Sequence, residues 1–567
     1  SSSSAIKNFI QIQYNDPATR PDYIILIGDT PQIPTHYENF SNYNGEGDYP
    51  YTFLAGDDYL GDAFIGRISV ETADQLSTVL SKVYKYEKDI VNDATSAAWL
   101  NRILLIGDPS TSGISCVYNS KYIKELAEMV NPDYSFIENY SSGFSSTINS
   151  GINEGVNFFS YRGYINMSGW SPSSSLNNGY KLPHAVILTC GTGNFGSSYG
   201  TGTTETFIRL GTAQNPSGAV TAIGMATSGT HTMFNNTLNA AIFNGIFAHN
   251  MRSMGEALLN GRLYIREVYG ATNSNEANYF AHWCNLMGDP SMEVFVGIPE
   301  SLQINAPATL TLGTNLLDVS ITDANGNPMA NASVTAFSED ENQIVARGYT
   351  DEFGNISLHI EGGISSSLLL TAAKNDKKPA QIYVEPDAGG LVHHDIMVVD
   401  DGSSGSLGNG NNLAEAGERI ALMLSAKNTG DVDLVSLSGT VSSEDPYIEL
   451  LSEEISFPDI SAGESALAQE FVVFDIAHNL PGYHDIRLVL SITDEGGTQY
   501  QFPIHVASHN AILHVESVDV LAGSNSVLDP AETGTLNLGI MNNSIAVVEN
   551  VSAQLFSLND LVLVEDS

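Results

Sequence analysis

A change of period near Pro299 constrains this chain more than any other feature. Before it, near-continuous apolar runs alternate with stretches whose apolar residues recur at helical spacing. After it, helical spacing stops, and short alternating runs punctuated by Gly, Asn and Asp take over. The runs "YIILIGD" (23–29), "RILLIGD" (102–108), "VNFFSYRG" (156–163), "HAVILTCG" (184–191) and "GAVTAIGM" (218–225) have no polar face, which suits parallel strands buried on both sides. Between them, "TADQLSTVLSKVYKYEKDI" (72–90) carries one apolar stripe, with Thr72 in the capping position. This order predicts an α/β sheet with helices on both faces over residues 1 to 297. The likeness of "YIILIGD" and "RILLIGD" suggests one unit used twice, hence two side-by-side α/β subdomains, 1–95 and 96–297.

Beyond Pro299, "LLDVSITDANGNPMANASVTAFSEDENQIVARGYTDEFGNISLHI" (316–360) reads as a β-sandwich with turns at "DANGNP" and "DEFGN". Sandwiches are expected over 298–388 and 389–509, and a third starts at 510 and breaks off at 567. "LAEAGERIALMLSAKN" (413–428) and "LDPAETGTLNLGIMNN" (528–543) align without gaps at an offset of 115, so the last two modules read as copies, the second cut short. The opening "SSSSAIKNFIQIQYN" falls inside a helical pattern, and native sequence is expected to precede it.

With 22 Lys+Arg against 65 Asp+Glu the net charge is −43, a field that repels nucleic acid and anionic lipid and favours cations and basic peptides. Charged residues are only 15% of the chain and hydrophobic ones 42%, which describes a folded acidic protein, not a disordered tail. No apolar run is long enough to span a membrane as a helix. Cys116, Cys190 and Cys284 are far apart with no CxxC, which excludes a zinc cluster or disulfide framework and leaves one Cys116–Cys284 bridge open. Few Cys and Lys among many Ser, Thr, Asn and Gly suit an exported bacterial protein.

Chemistry concentrates at "ILTCGTGNF" (187–195), a buried strand running into a glycine turn with one thiol at its point. A free Cys at a strand end is ordinarily a small buried hydrophobe, so its surroundings must decide. "PDYIILIGDTPQIPTHY" (21–37), "GDDYLGDAFIGRISVETADQL" (56–76), "ILTCGTGNF", "GAVTAIGMATSG" (218–229), "SMGEALLNGRLYI" (253–265) and "NLMGDPSMEVF" (285–295), in this order, resemble the gingipain family of cysteine peptidases, relatives of the caspases. The resemblance implies a caspase-like α/β fold followed by immunoglobulin-like sandwiches, and secretion to the cell surface or beyond. It also implies a Cys–His dyad acting on peptide bonds. Cys190 takes the nucleophile position, and Asp62 in "GDDYLGDAF" that of the acid orienting the histidine.

The histidine itself does not carry over. The family's "Y-x-G-H-G" turn is here "SYRGYINMSGW" (160–170), with Tyr164 at the His position and Ile165 at the following Gly. A phenol with a pKa near 10 is a poor base at neutral pH, and losing general-base help costs on the order of 10²- to 10⁴-fold. Ile in place of Gly further strains a turn expected to help bind the oxyanion. His184 lies six residues back along the same strand, about 20 Å from the thiol, and His282 reads as structural. His231 in "ATSGTHTMF" lies where the resemblance places the rim of the S1 pocket, and is the alternative base, although a half-exposed loop histidine is the more ordinary explanation.

The oxygen-rich loop "DDGSSGSLGNGNNLAEAGE" (400–418), with Asp400, Asp401, Asn409, Asn411, Glu415 and Glu418, raises calcium as a cofactor, and in the acidic loop "GEGDYPYTFLAGDD" (45–58) the resemblance implies calcium, with Asp57 and Asp58 as its ligands. A polar hairpin loop accounts equally well for the first. "GTGNFG" (191–196) lacks the Lys of a phosphate loop. Two functions follow: a peptidase-derived scaffold for adhesion or for assembly into a surface layer or filament with protein or peptide partners, or an endopeptidase with an unconventional base. Tyr164 and Ile165 favour the first.

Overall fold

The computed structural model describes residues 2–40, 43–90, 96–196, 201–360, 363–522, 528–530, 532–546, 548, 551–557 and 563–564. The boundary expected at residue 95 and the end at residue 567 lie outside the described residues. Two compact units form. One comprises residues 1–303 with 322–332 and 372–380, the other 304–321, 333–371 and 381–567. No helix among the described residues is long and apolar enough to cross a membrane.

Among the described residues, 1–297 hold the strands β1 (Tyr23–Ile27), β2 (His36–Phe40), β3 (Tyr43–Gly47), β4 (Phe64–Ile68), β5 (Arg102–Gly107), β6 (Ser135–Asn139), β7 (Phe158–Arg162), β8 (His184–Leu188), β9 (Thr221–Met225) and β10 (Cys284–Met287). The helices of the same stretch are α1 (Ser3–Asn15), α2 (Ala73–Glu87), α3 (Ser115–Val130), α4 (Phe144–Glu154), α5 (Thr203–Arg209), α6 (Thr232–Ala248), α7 (Met254–Tyr269) and α8 (Ser274–Trp283). Thr72 caps α2 as expected, its hydroxyl accepting from the Gln75 N–H.

Eight strands form a single sheet in the order β1-β4-β10-β9-β8-β7-β5-β6. The two expected subdomains therefore share one sheet, joined where Met287 of β10 pairs with Arg67 of β4. Neighbours run parallel except β9 and β10, so β1, β4 and β10 oppose the other five. The look-alike runs at 23–29 and 102–108 become β1 and β5, which point in opposite directions. Both faces are covered over β5, β7, β8 and β9, as the unbroken apolar runs require, whereas at the edge strand β1 Ile25 and Ile27 are exposed, so the run 23–29 is not buried on both sides. Ile103, Leu105, Phe158, Val186 and Leu188 pack into one core with residues of α3, α6 and α7. Leu104, Ile106, Phe159, Ala185 and Ile187 pack into another with residues of α4 and α5.

In the second unit, paired sheets follow one another. Residues 391–509 build two five-stranded sheets whose facing side chains, among them Leu422, Leu424, Phe474, Leu488 and Ile504, share one core. Of the expected third sandwich, the described residues hold one ladder, Leu513–Leu521 against Thr535–Asn542. It does repeat an earlier one, Leu391–Val399 against Arg419–Asn428, with a leucine opposite an asparagine in each: Leu391 faces Asn428, and Leu513 faces Asn542.

The register of the repeat is one residue off the ungapped alignment. Asn428 donates to the Val432 carbonyl and accepts from the Gly430 N–H, while Asn542 does the same with Ala546 and Ser544. Glu418 accepts from the Glu415 N–H, and Glu532 from the Asp529 N–H. Since 542 − 428 and 532 − 418 both equal 114, the offset is 114, not 115. A one-residue slip would turn every strand side chain to the wrong face, so in this module contacts override the longest ungapped match.

His505 ties the sheets of residues 391–509 to strands that precede them. Its Nδ1 lies 2.7 Å from Asp485 on the neighbouring strand, and its Nε2 lies 3.3 Å from Asp318 of the strand Leu316–Thr322 and 2.9 Å from the Ser357 hydroxyl of the strand Asn355–His359. Burial alone would lower the imidazole pKa, but the two carboxylates outweigh it and raise it to about 9. A folded pKa above the unfolded value of about 6.5 gives stabilisation that is full below that pH and is lost as pH rises through 9. His505→Gln is therefore expected to cost on the order of 2 kcal/mol at pH 6 and little at pH 10. Calorimetry of both proteins across that range checks this, and a pH-independent difference would refute it.

Candidate active site

Adjacent strands β8, β7 and β5 run parallel and end at one edge of the sheet, which carries Cys190, Tyr164 and Asp108 just past them. The turn after β8 is tightly tied. Gly191 adopts φ +72°, which favours glycine, and donates to the Thr227 carbonyl at 2.7 Å. Thr189 Oγ1 donates to Gly163 O at 2.9 Å, and Thr192 Oγ1 to Ile187 O at 2.6 Å. Cys190 is half-buried, and its Sγ lies 3.1 Å from Thr230 Oγ1, its hydrogen-bond partner among the described residues.

No imidazole reaches that sulfur among the described residues. Tyr164 is 46% exposed and N-caps the 3₁₀ turn Ile165–Gly169 through its backbone alone. His231 is exposed, its ring 6.0 Å from that of Phe234 and its carbonyl accepting from Asn235, so the thiol meets its neighbour Thr230 instead. His184 is buried at the far end of β8 against Thr221, with burial pulling its pKa down to about 3. His282 is likewise buried and pulled down to about 3 by burial.

Asp62 sits two residues before β4, three strands from β8 or about 14 Å at normal strand spacing. Its Oδ2 accepts from the Leu54 and Ala55 N–H groups at 2.7 and 2.8 Å, closing its own loop. Asp108 is buried beside Gly163, its Oδ1 accepting from the Ser110 N–H and hydroxyl at 2.9 and 2.6 Å and its Oδ2 from Ser168 Oγ. Burial opposes ionisation of this carboxyl, but these hydrogen bonds prevail and hold its pKa below the usual range.

Two carboxylates that read as loop residues build the support. Glu46 Oε1 accepts from the Phe195 and Gly196 N–H groups, both at 2.6 Å, and pins the segment after Cys190. Burial raises its pKa despite those bonds. Asp48 takes a bidentate pair from Arg67, both contacts 2.7 Å, and a bond from Thr35 at 2.8 Å. The β2–β3 hairpin lies along this site. Gly45 bridges Thr227, and the Tyr43 ring packs on Gly229 so closely that a Cβ there would fall 1.7 Å from it.

All three cysteines are free, so no Cys116–Cys284 bridge forms. Cys116 lies against β5 and Cys284 opens β10, four strands away, or about 19 Å, well beyond disulfide reach. Burial pushes the Cys284 thiol up to about 12.

The acidic loops do not fit calcium in this arrangement. Asp400 already accepts from the Gly410, Asn411 and Asn412 N–H groups. Asn409 and Asn411 turn amide N–H groups, not oxygens, onto Glu415. Asp401 caps Ser403, Asp58 caps Leu60, and Asp57 is exposed. Among the described residues no three His, Cys, Asp or Glu side chains converge as a metal site would need.

The family model of peptidase family C25 matches residues 1–295. Gingipain R2 of Porphyromonas gingivalis (strain ATCC 33277) is 23% identical over 391 residues, 66% of this chain and 50% of that protein. Gingipain R1 of Porphyromonas gingivalis is 25% identical over 340 residues, 57% of this chain and 33% of that protein. The chain thus spans half or less of the length of these curated relatives. The crystal structure of the Arg-specific cysteine proteinase gingipain R superposes with a TM-score of 0.59 at 22% identity, covering 68% of this chain and 88% of that one. A complex of RgpB pro- and mature domains gives 0.59 at 21% identity, with 68% and 90% covered. These two likenesses carry the caspase-like α/β fold, and the family match carries the lineage. The chain belongs to peptidase family C25, the gingipain-like cysteine peptidases.

Proposed function

We propose that this chain is a secreted, peptidase-derived scaffold that keeps the nucleophile position at Cys190 and lacks efficient peptide hydrolysis. One observation carries the reading: the Cys190 sulfur meets a threonine hydroxyl at 3.1 Å and Tyr164 stands half-exposed where the family has histidine. Neither hydroxyl accepts a proton well at neutral pH, and neither returns one to a leaving amine. The paired sheets after residue 303, read as immunoglobulin-like modules, suit adhesion or assembly into a surface layer or filament. A net charge of −43 favours protein or peptide partners over nucleic acid and supports an extracellular setting.

A second reading, an active endopeptidase using His231, is favoured by that residue's position next to Thr230. Fluorogenic peptides with mixed P1 residues separate the two. The scaffold is expected to cleave no faster than its Cys190→Ala variant. Cleavage that needs both Cys190 and His231 would replace this reading with the second.

A further inference from the structure

Arg162, the last residue of β7, is buried to 1% exposure, yet forms no ion pair with a carboxylate among the described residues. Its guanidinium donates to neutral acceptors only: Nη1 to the Leu188 carbonyl, Nε to Asn236 Oδ1 at 2.8 Å and Nη2 to the Thr232 carbonyl at 3.4 Å. The nearest strand-end carboxylate, Asp108, is already engaged by Ser110 and Ser168. A buried cation without a counter-charge is costly, and burial pulls this guanidinium down to about 10.

Three groups lie where their negative forms would balance it: Cys116, Tyr161 and Cys190. Burial pushes up both the Cys116 thiol and the Tyr161 phenol, and both side chains are buried. Cys190 is the half-exposed member of the three. The same hydrogen bonds fix its surroundings, because Leu188 lies two residues before Cys190, and Thr232 lies two residues after Thr230, its hydroxyl partner. One side chain therefore ties the nucleophile strand to the segment that faces the thiol.

We propose that Arg162 is the positioning residue of Cys190, holding the sulfur against Thr230 and stabilising negative charge that develops on it during attack. This supplies the electrostatic half of what an imidazolium gives, and no proton for a leaving group. The site then reacts with carbon electrophiles whose leaving group departs unprotonated. The S–C bond forms, the leaving group takes the bonding pair, and the thiol proton goes to solvent. The inference rests on Cys190 holding the nucleophile position, as proposed above.

Iodoacetamide labelling of the full chain, read at each cysteine by mass spectrometry at pH 7, tests it, with buried Cys116 and Cys284 as internal controls. Cys190 is expected to react about 10-fold or more faster than free cysteine. Arg162→Met should bring it to the free-cysteine rate, and Arg162→Lys, which keeps the charge, should retain most of the gain. A wild-type rate no faster than free cysteine overturns the proposal, as does a folded Arg162→Met that reacts like wild type or an Arg162→Lys that reacts like Arg162→Met. Should Arg162→Met not fold, the wild-type and Lys rates decide. Peptide cleavage by the wild type would sink the scaffold reading and leave this inference standing. Slow labelling without cleavage would do the reverse.

Discussion

Replacing Tyr164 by His and Ile165 by Gly together is expected to raise Cys190-dependent peptide cleavage by about 10²- to 10⁴-fold, the usual worth of a positioned general base. The site is prepared for the exchange. Tyr164 follows β7, the strand next to β8, and β8 leads directly to Cys190. Its phenol makes no hydrogen bond among the described residues, and its ring is 46% exposed, so little packing is lost. The backbone already turns outward at Tyr164 with φ −85° and ψ 163°. The left-handed residues of this turn come later, at Met167, Ser168 and Gly169, so φ does not require glycine at 165, and the second exchange restores the family's turn sequence. Kinetics of wild type, Tyr164→His, the double variant and the double variant with Cys190→Ala settle the matter. A double variant as inert as wild type, with Cys190 still open to alkylation, would mean that the lineage has lost more than its proton acceptor.

The strands that carry this site were legible because their physical demand is simple. Segments buried on both faces have no polar face, and in 102–108, 156–163, 184–191 and 218–225 the polar residues, such as Ser160 and Thr221, are isolated and do not alternate. β4 stayed hidden because Gly66 and Arg67 interrupt "FIGRI", and Arg67 belongs in a core only once Asp48 neutralises it. β10 is four residues long and runs against β9, which periodicity cannot show. The pairing of "YIILIGD" with "RILLIGD" misled for a related reason. Both sequences describe a buried strand with an aspartate at its exit, which is local chemistry, and say nothing of direction.

At the site, Cys190 was found from its neighbours in sequence, whereas nothing singled out Glu46 and Asp48 within the acidic loop 45–58. Their partners lie 149 residues away at Phe195 and 19 away at Arg67, and only folding brings them in. The hint in sequence was a single Glu between Gly45 and Gly47, where the chain approaches neighbours too closely for a side chain. Arg162 was hidden likewise: a charged residue at a strand exit ordinarily points to water, and this one does not.

The Arg67–Asp48 pair carries the largest stability effect expected here. Both side chains are almost wholly buried, and the guanidinium also donates to the Gly28 and Ile33 carbonyls at 2.8 and 2.9 Å. Burial opposes the charge on Arg67, but Asp48 prevails and raises its pKa above the ordinary value. Such a pair adds little over a well-packed apolar substitute, while half of it alone is costly. Asp48→Ala should therefore destabilise the α/β unit by about 3–5 kcal/mol, a large share of a typical ~5–15 kcal/mol. Asp48→Leu with Arg67→Met should recover more than half of that loss. All three tryptophans, Trp99, Trp170 and Trp283, lie in this unit, so their fluorescence during urea unfolding reports it without the second unit. The damage should also reach the thiol, since Arg67 lies 5.1 Å over the Phe195 ring in the segment that Glu46 pins behind Cys190. A loss under about 1 kcal/mol for Asp48→Ala would mean that water reaches the guanidinium, and that the support beneath Cys190 is looser than its hydrogen bonds imply.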